Sequence, residues 1–171
     1  MSDTRAFCVR CGAKLGPMKE SGVERRGCEA ACGYIDYDNP TPVVGAIVQV
    51  GEDVILVRPP HFPEKLFGLV TGFLERGERP EDGVVREVKE EIGLDAKVES
   101  LVGVHPFFMM NQVIITYHLT ATGEIQLGEE IAAFKRVPIA KLRPWPMGTG
   151  EAVRDFLASY RAKVTTAEPR P

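Results

Sequence analysis

From Gly72 to Leu94 the chain reads GFLERGERPEDGVVREVKEEIGL, and no other stretch restricts its fold so tightly. The residues leading into it have strand character and run into a loop bracketed by Gly72 and Gly77. Pro80 then sits in the first turn of a helix with Asp82 near its start, both common helix-opening signals. At 3.6 residues per turn, Glu90 and Glu91 fall about 60° and about 40° around the axis from Glu87. Three carboxylates therefore share one face within about a turn. Held that close they repel, unless a doubly charged cation lies among them. Carboxylate oxygens are hard ligands suited to Mg²⁺ or Mn²⁺, and Mg²⁺ bound this way usually keeps several waters and takes substrate phosphate as well. The alternative is a solvated acidic face neutralised by basic neighbours. Only Arg86 and Lys89 are near, and Lys89 points elsewhere, which favours the metal face. Gly72 has no side chain to keep its carbonyl from approaching that metal. Glu78 is expected to pair with Arg86 in a planar, bidentate contact that pins the loop to the helix.

All four cysteines fall in the first 32 residues, as Cys8-x2-Cys11 and Cys28-x3-Cys32. The N-terminal MSDTRAF lacks the apolar core of a signal peptide, so the four thiols read as a zinc ribbon rather than as two disulfides. A ribbon of about 40 residues has little core, and structural Zn²⁺ would supply its folding free energy. Its Lys14, Lys19, Arg25 and Arg26 are offset by Glu20, Glu24 and Glu29, and aromatic residues are few. Nucleic-acid binding is therefore possible but not favoured over a structural role.

YIDYDNPTP, Tyr34 to Pro42, connects the ribbon to the rest. VVGAIVQV and VILVR, separated by Gly51-Glu52-Asp53, form a hairpin of buried strands, and PPHFPEK is a loop. AKVESLVGV, QVIITYHLTA and FKRVPI are further strands, and GTGEAVRDFLASYRA is a closing helix. The strands and helices alone imply an α+β fold. The expected domains are a ribbon over 1–40, a larger domain over 41–160 and a disordered tail over 161–171. A chain of 171 residues with 44% hydrophobic content and net charge −3 has no global basic footprint for nucleic acid or an anionic membrane, and no stretch approaches 18 consecutive apolar residues. A cytoplasmic protein is expected.

The segment around Gly72, Glu78, Arg86, Glu87, Glu90, Glu91 and Gly93 resembles the signature of the Nudix hydrolases at every fixed position. Val70 stands where many members have Pro. The resemblance implies an α/β/α sandwich with a mixed sheet, Mg²⁺ or Mn²⁺ on Glu87, Glu90 and Glu91 with help from the Gly72 carbonyl, and structural roles for Arg86 and Glu78. The combination of ribbon, connector and signature is similar to NADH pyrophosphatases and related zinc-ribbon Nudix enzymes, from which a homodimer is also implied. Those enzymes carry SQPWPFPxS after the signature, where this chain has VHPFFMMNQ, Val104 to Gln112, so an NADH preference is not carried over. RPWPMG, Arg143 to Gly148, repeats some of those letters about forty residues too late and reads as coincidence.

Phe107 and Phe108 are candidates to stack on a substrate ring, and Arg58 is a candidate phosphate contact. Glu130, with Glu129 beside it, aligns with a loop glutamate that reaches the metals or acts as base in similar enzymes. Of the three histidines, only His105 falls in the candidate specificity segment. The expected reaction is attack of water on one phosphorus of a nucleoside diphosphate-linked metabolite such as ADP-ribose, NAD(H) or FAD. Glu90 or Glu130 would take the proton, and AMP and a phosphorylated partner would leave. The alternatives are hydrolysis of NAD(H) or NAD-capped RNA, and a non-catalytic nucleotide-sensing or nucleic-acid-binding module.

Overall fold

The computed structural model describes residues 5–167. The chain divides into two compact units, one holding the residues up to Pro40 with Met109–Asn111, the other holding Thr41–Phe108 and the chain from Gln112 onward.

In the first unit, strands β1 (Leu15–Glu20), β2 (Val23–Cys28) and β3 (Ile35–Asp36) form an antiparallel sheet in that order. Glu20 pairs with Val23 across Ser21 and Gly22, both at positive φ (51° and 82°), as a two-residue hairpin turn that follows the strand twist requires. β3 lies inside the segment expected as a plain connector. The only hydrophobic side chains buried among this unit's described residues are those of Cys8 and Leu15. Two such residues cannot offset the conformational entropy of ordering the segment.

The second unit is built on a six-stranded mixed sheet. It contains β4 (Thr41–Val50), β5 (Asp53–Arg58), β6 (Val70–Phe73), β7 (Asp95–Phe107), β8 (Gln112–Thr122) and β9 (Ala133–Pro138), in the order β7-β8-β4-β5-β9 with β6 also on β4. β4 and β8 run parallel, and every other pair is antiparallel. Helix α1 (Pro80–Ile92) covers one face and α2 (Gly150–Ala167) the other. The expected α/β/α sandwich is therefore present.

β4 explains why both faces need a helix. Its Val44, Ala46 and Val48 are buried with Val84, Val88 and Ile92 of α1, whereas Ile47 is buried with Val153, Phe156 and Leu157 of α2. A strand buried on both sides reads as a continuous apolar run, as VVGAIV does. Each valine, isoleucine, leucine or phenylalanine among them contributes about 1.5–3 kcal/mol by leaving water, so a charge at Val88 or Ile47 would destabilise the packing of its helix on the sheet. Val70, where proline is common in similar enzymes, is fully buried in the α1-side core. α2 continues to Ala167, into the stretch expected as a tail from 161, and 168–171 lie outside the described residues.

Candidate active site

Two close approaches bring the acidic residues together. β6 pairs with the start of β4, Gly72 opposite Val44, and the carboxylate of Glu87 lies against Gly72 so closely that an added Cβ would fall on its carboxyl carbon. The second approach follows β8. There the Gln126 amide donates to the Ile92 carbonyl at 3.0 Å, and the Gly128 amide donates to the Glu91 carbonyl at 2.9 Å. A Cβ on Gly128 would strike the Glu90 carbonyl oxygen, so only glycine lets this loop close on the last turn of α1. Its closure puts Glu129 and Glu130 beside the helix. The resulting cleft, about 420 Å³, is lined by Glu87, Glu90, Glu91, Glu129, Glu130 and Gly72, among others.

Arg86 organises the near side. Its Nε and Nη2 donate to the two Glu78 oxygens at 2.8 and 3.1 Å, and Nη2 also reaches the Phe73 carbonyl at 3.2 Å. Nη1 donates to Glu87 at 2.7 Å and to Glu90 at 3.0 Å. The Glu78 carboxyl, held by Arg86 and by the Glu75 amide, lies below the usual carboxylate range. Lys89 bonds instead to Asp95 at 2.7 Å and takes no part.

The far side is short of positive charge. Glu91 is 9% exposed, and one of its oxygens is buried with no hydrogen-bond partner. Burial first, then Glu87 and Glu130, push its carboxyl up to about 8, against the Thr71 amide that pulls it down. Burial likewise raises Glu87, although Arg86 opposes it. A desolvated carboxylate with an orphaned oxygen, facing two further acids, suits a hard dication that brings charge and accepts oxygen ligands. Mg²⁺ or Mn²⁺ fits this donor set.

The four cysteine sulfurs lie within 4.8 Å of one another, with Cys8–Cys32 at 3.5 Å and Cys11–Cys28 at 3.4 Å. A tetrahedron with Zn–S bonds of about 2.3 Å has edges of about 3.8 Å, inside that spread. The Arg10 amide points at the Cys8 sulfur (3.4 Å), and the Cys32 amide leads in pulling the Cys28 thiol down to about 6. The site fits Zn²⁺.

A second cavity, about 220 Å³, shares Val43, Thr71 and Gln112 with the acidic cleft. Phe62, Phe67, Phe107, Trp145 and Met147 line it, and no charged side chain does. Phe107, one of the two candidate ring contacts, is among the residues that line it. Phe108 is 88% exposed and lines neither cavity. Trp145 and Met147 belong to RPWPMG, the stretch whose letters read as coincidence, and both line this cavity. Nothing local in the sequence ties that loop to Phe107. Arg58 lines neither cavity, but its Nη1 reaches the Phe62 carbonyl at 3.5 Å. His105 is buried on β7, the same strand as Phe107, and bonds through Nε2 to Asp155 of α2 at 2.9 Å; it does not line the acidic cleft. His118 bonds to Gln49 at 2.8 Å and packs near Phe156.

A model of the NUDIX domain matches residues 39–158. The chain is 31% identical over 144 residues to the NAD-capped RNA hydrolase NudC of Pseudomonas putida KT2440, covering 83% of this chain and 51% of that protein. It is 31% identical over 166 residues to the NAD-capped RNA hydrolase NudC of Pseudomonas aeruginosa PAO1, covering 95% and 58%. The chain spans about half the length of these curated relatives. In fold it is similar to a NUDIX hydrolase from Nitrosomonas europaea, with a TM-score of 0.78 at 22% identity over 96% of this chain and 95% of that one. It is also similar to an ADP-ribose pyrophosphatase from Streptococcus suis, with a TM-score of 0.60 at 23% identity over 72% and 93%.

Proposed function

Because the chain belongs to the Nudix family, we propose that it is a metal-dependent pyrophosphohydrolase. Its substrate is a nucleoside diphosphate linked to a second group, of the ADP-ribose, NAD(H) or FAD type, cleaved to AMP and a phosphorylated product. The observation that carries this reading is the junction of the acidic cleft with the uncharged aromatic cavity through Val43, Thr71 and Gln112. A diphosphate in the first and a base in the second would be held by one molecule that spans the junction.

Glu87, Glu90 and Glu91, with the Gly72 carbonyl, would hold Mg²⁺ or Mn²⁺. The ion supplies charge to offset the diphosphate and favours ionisation of water. Arg86, fixed by Glu78, sets where Glu87 and Glu90 point. Glu130, across the cleft from the helix, accepts the proton as water attacks phosphorus in line, with Glu90 the other candidate base. Phe107 and Trp145 hold the base by stacking, which fixes the diphosphate over the acids. The bond from the attacking oxygen to phosphorus forms as the bridging P–O bond breaks, and the electron pair leaves on the other phosphate. No side chain need become covalently attached. Zn²⁺ on Cys8, Cys11, Cys28 and Cys32 is structural.

A second reading, hydrolysis of NAD-capped RNA, is favoured by the names of the curated relatives. A panel of ADP-ribose, NADH, NAD⁺, FAD and a short NAD-capped RNA, incubated with Mg²⁺ or Mn²⁺ and resolved by chromatography, separates the readings. AMP from a free dinucleotide supports the first, and preferential decapping supports the second. Binding of these compounds without turnover would overturn both in favour of a sensor.

A further inference from the structure

The aromatic cavity has a basic flank. Phe62 and Phe67 both line it. Arg58, the last residue of β5, donates from Nη1 to the Phe62 carbonyl, and the Lys135 ammonium of β9 stands 3.9 Å from the centre of the Phe67 ring. Both cations therefore rest on residues that wall the cavity. In the β5–β9 ladder Arg58 pairs with Ala133 and Leu56 pairs with Lys135. Arg58 and Lys135 are thus diagonal neighbours on one face of the sheet, about 7–8 Å apart at the backbone and within mutual reach of long side chains. It is the face on which Val54 and Leu56 pack with α2.

Among the described residues no carboxylate forms an ion pair with Arg58 or Lys135. The Arg58 Nε is buried without a hydrogen-bond partner, and its one side-chain bond, at 3.5 Å, is at the long limit for such contacts. Lys135 is exposed. Two unpaired positive charges beside an uncharged cavity, on a chain of net charge −3, make a local preference for an anion that the acidic cleft cannot share.

We propose that Arg58 and Lys135 form a subsite for a phosphate on the ribose of an adenine nucleotide whose base occupies the aromatic cavity. This phosphate is distinct from the diphosphate that is cleaved. The subsite rests on the reading of that cavity as a base pocket. It divides the substrate's charges between two kinds of partner. The scissile diphosphate lies with the carboxylates and their dication, and the extra phosphate lies with two fixed cations. The ligand class is a ribose-phosphorylated adenine nucleotide. The phosphate is either the 2′-phosphate of a phosphorylated dinucleotide or a 3′-phosphate from which a nucleotide chain continues.

Calorimetric titration with AMP, adenosine 2′,5′-bisphosphate and adenosine 3′,5′-bisphosphate tests the subsite without requiring turnover. One bisphosphate is expected to bind about tenfold more tightly than AMP at low ionic strength, and the ratio to fall toward one in high salt. The ratio also collapses in Lys135→Ala and in Arg58→Gln. Lys135, on an exposed edge strand, keeps the test open if the Arg58 variant does not fold. A gain confined to the 2′ compound assigns the subsite to a phosphorylated dinucleotide, and a gain confined to the 3′ compound assigns it to a nucleotide chain. If AMP binds and neither bisphosphate gains, or if the gain survives Lys135→Ala, the subsite is overturned and the base pocket stands. If none of the three binds, pocket and subsite fall together.

Discussion

Replacing Glu91 by Gln should stabilise the metal-free protein in alkaline solution while weakening its response to Mg²⁺. Glu91 is buried, and its carboxyl is pushed from an ordinary 4.5 up to about 8. Between those values the native state holds a proton that the unfolded chain has released, so stability falls as pH rises. The contribution is full below about pH 4.5 and is lost as pH rises through about 8, at a limiting slope of about 1.4 kcal/mol per unit. From about pH 5.5 to about pH 8.5 the wild type should therefore lose on the order of 3 kcal/mol from this group. Glutamine has no proton to lose, so the variant is spared that loss, and the two unfolding curves separate as pH rises. Urea unfolding with no divalent ion added, at both pH values, reads the difference directly through its midpoint. Added Mg²⁺ should restore the wild type at the higher pH by binding the native state, and should restore the variant much less. Parallel pH dependences in the two proteins would refute the reasoning. So would equal stabilisation by Mg²⁺, because Glu91 would then not be a ligand.

Three further outcomes follow from the geometry. Gly72→Ala places a Cβ on the Glu87 carboxylate, so steady-state kinetics should show kcat reduced by about 100-fold or more, with a stability loss of about 1–3 kcal/mol in thermal unfolding. Trp145→Ala opens the aromatic cavity and should raise KM by about tenfold, with much less change in kcat, because it removes binding shared by substrate and transition state. Cys28→Ser removes one of four clustered sulfurs, and metal analysis should show zinc falling from about one per chain to well below that.

The parts of the site that were legible in the sequence are those whose geometry is local. Glu87, Glu90 and Glu91 share a face because helical spacing requires it, and the Arg86–Glu78 pair closes a loop of only a few residues. The sandwich's strands were legible because both faces of β4 are buried, which leaves an unbroken apolar run. The aromatic cavity was not legible, because it joins Phe62, Phe107 and Trp145 from three separated segments that only tertiary packing brings together. One signal was nevertheless available. Extended backbone at 107–108 would send the adjacent Phe108 the other way from Phe107, although the strand read from the sequence stopped at Val104, and Phe108 is the more exposed of the two. Gly128 was another, since a glycine two residues before Glu130 permits the loop to press on α1. Arg58's neighbour Lys135 lies far along the chain and is found only through the β5–β9 register.

The most direct test of the acidic cleft is anomalous diffraction from crystals soaked in Mn²⁺. A peak is expected about 2.2 Å from carboxylate oxygens contributed by Glu87, Glu90 or Glu91, with Glu91's buried oxygen among the ligands. An ordered manganese bound elsewhere, or a cleft that stays empty while Arg86 keeps Glu87 and Glu90, would contradict that placement.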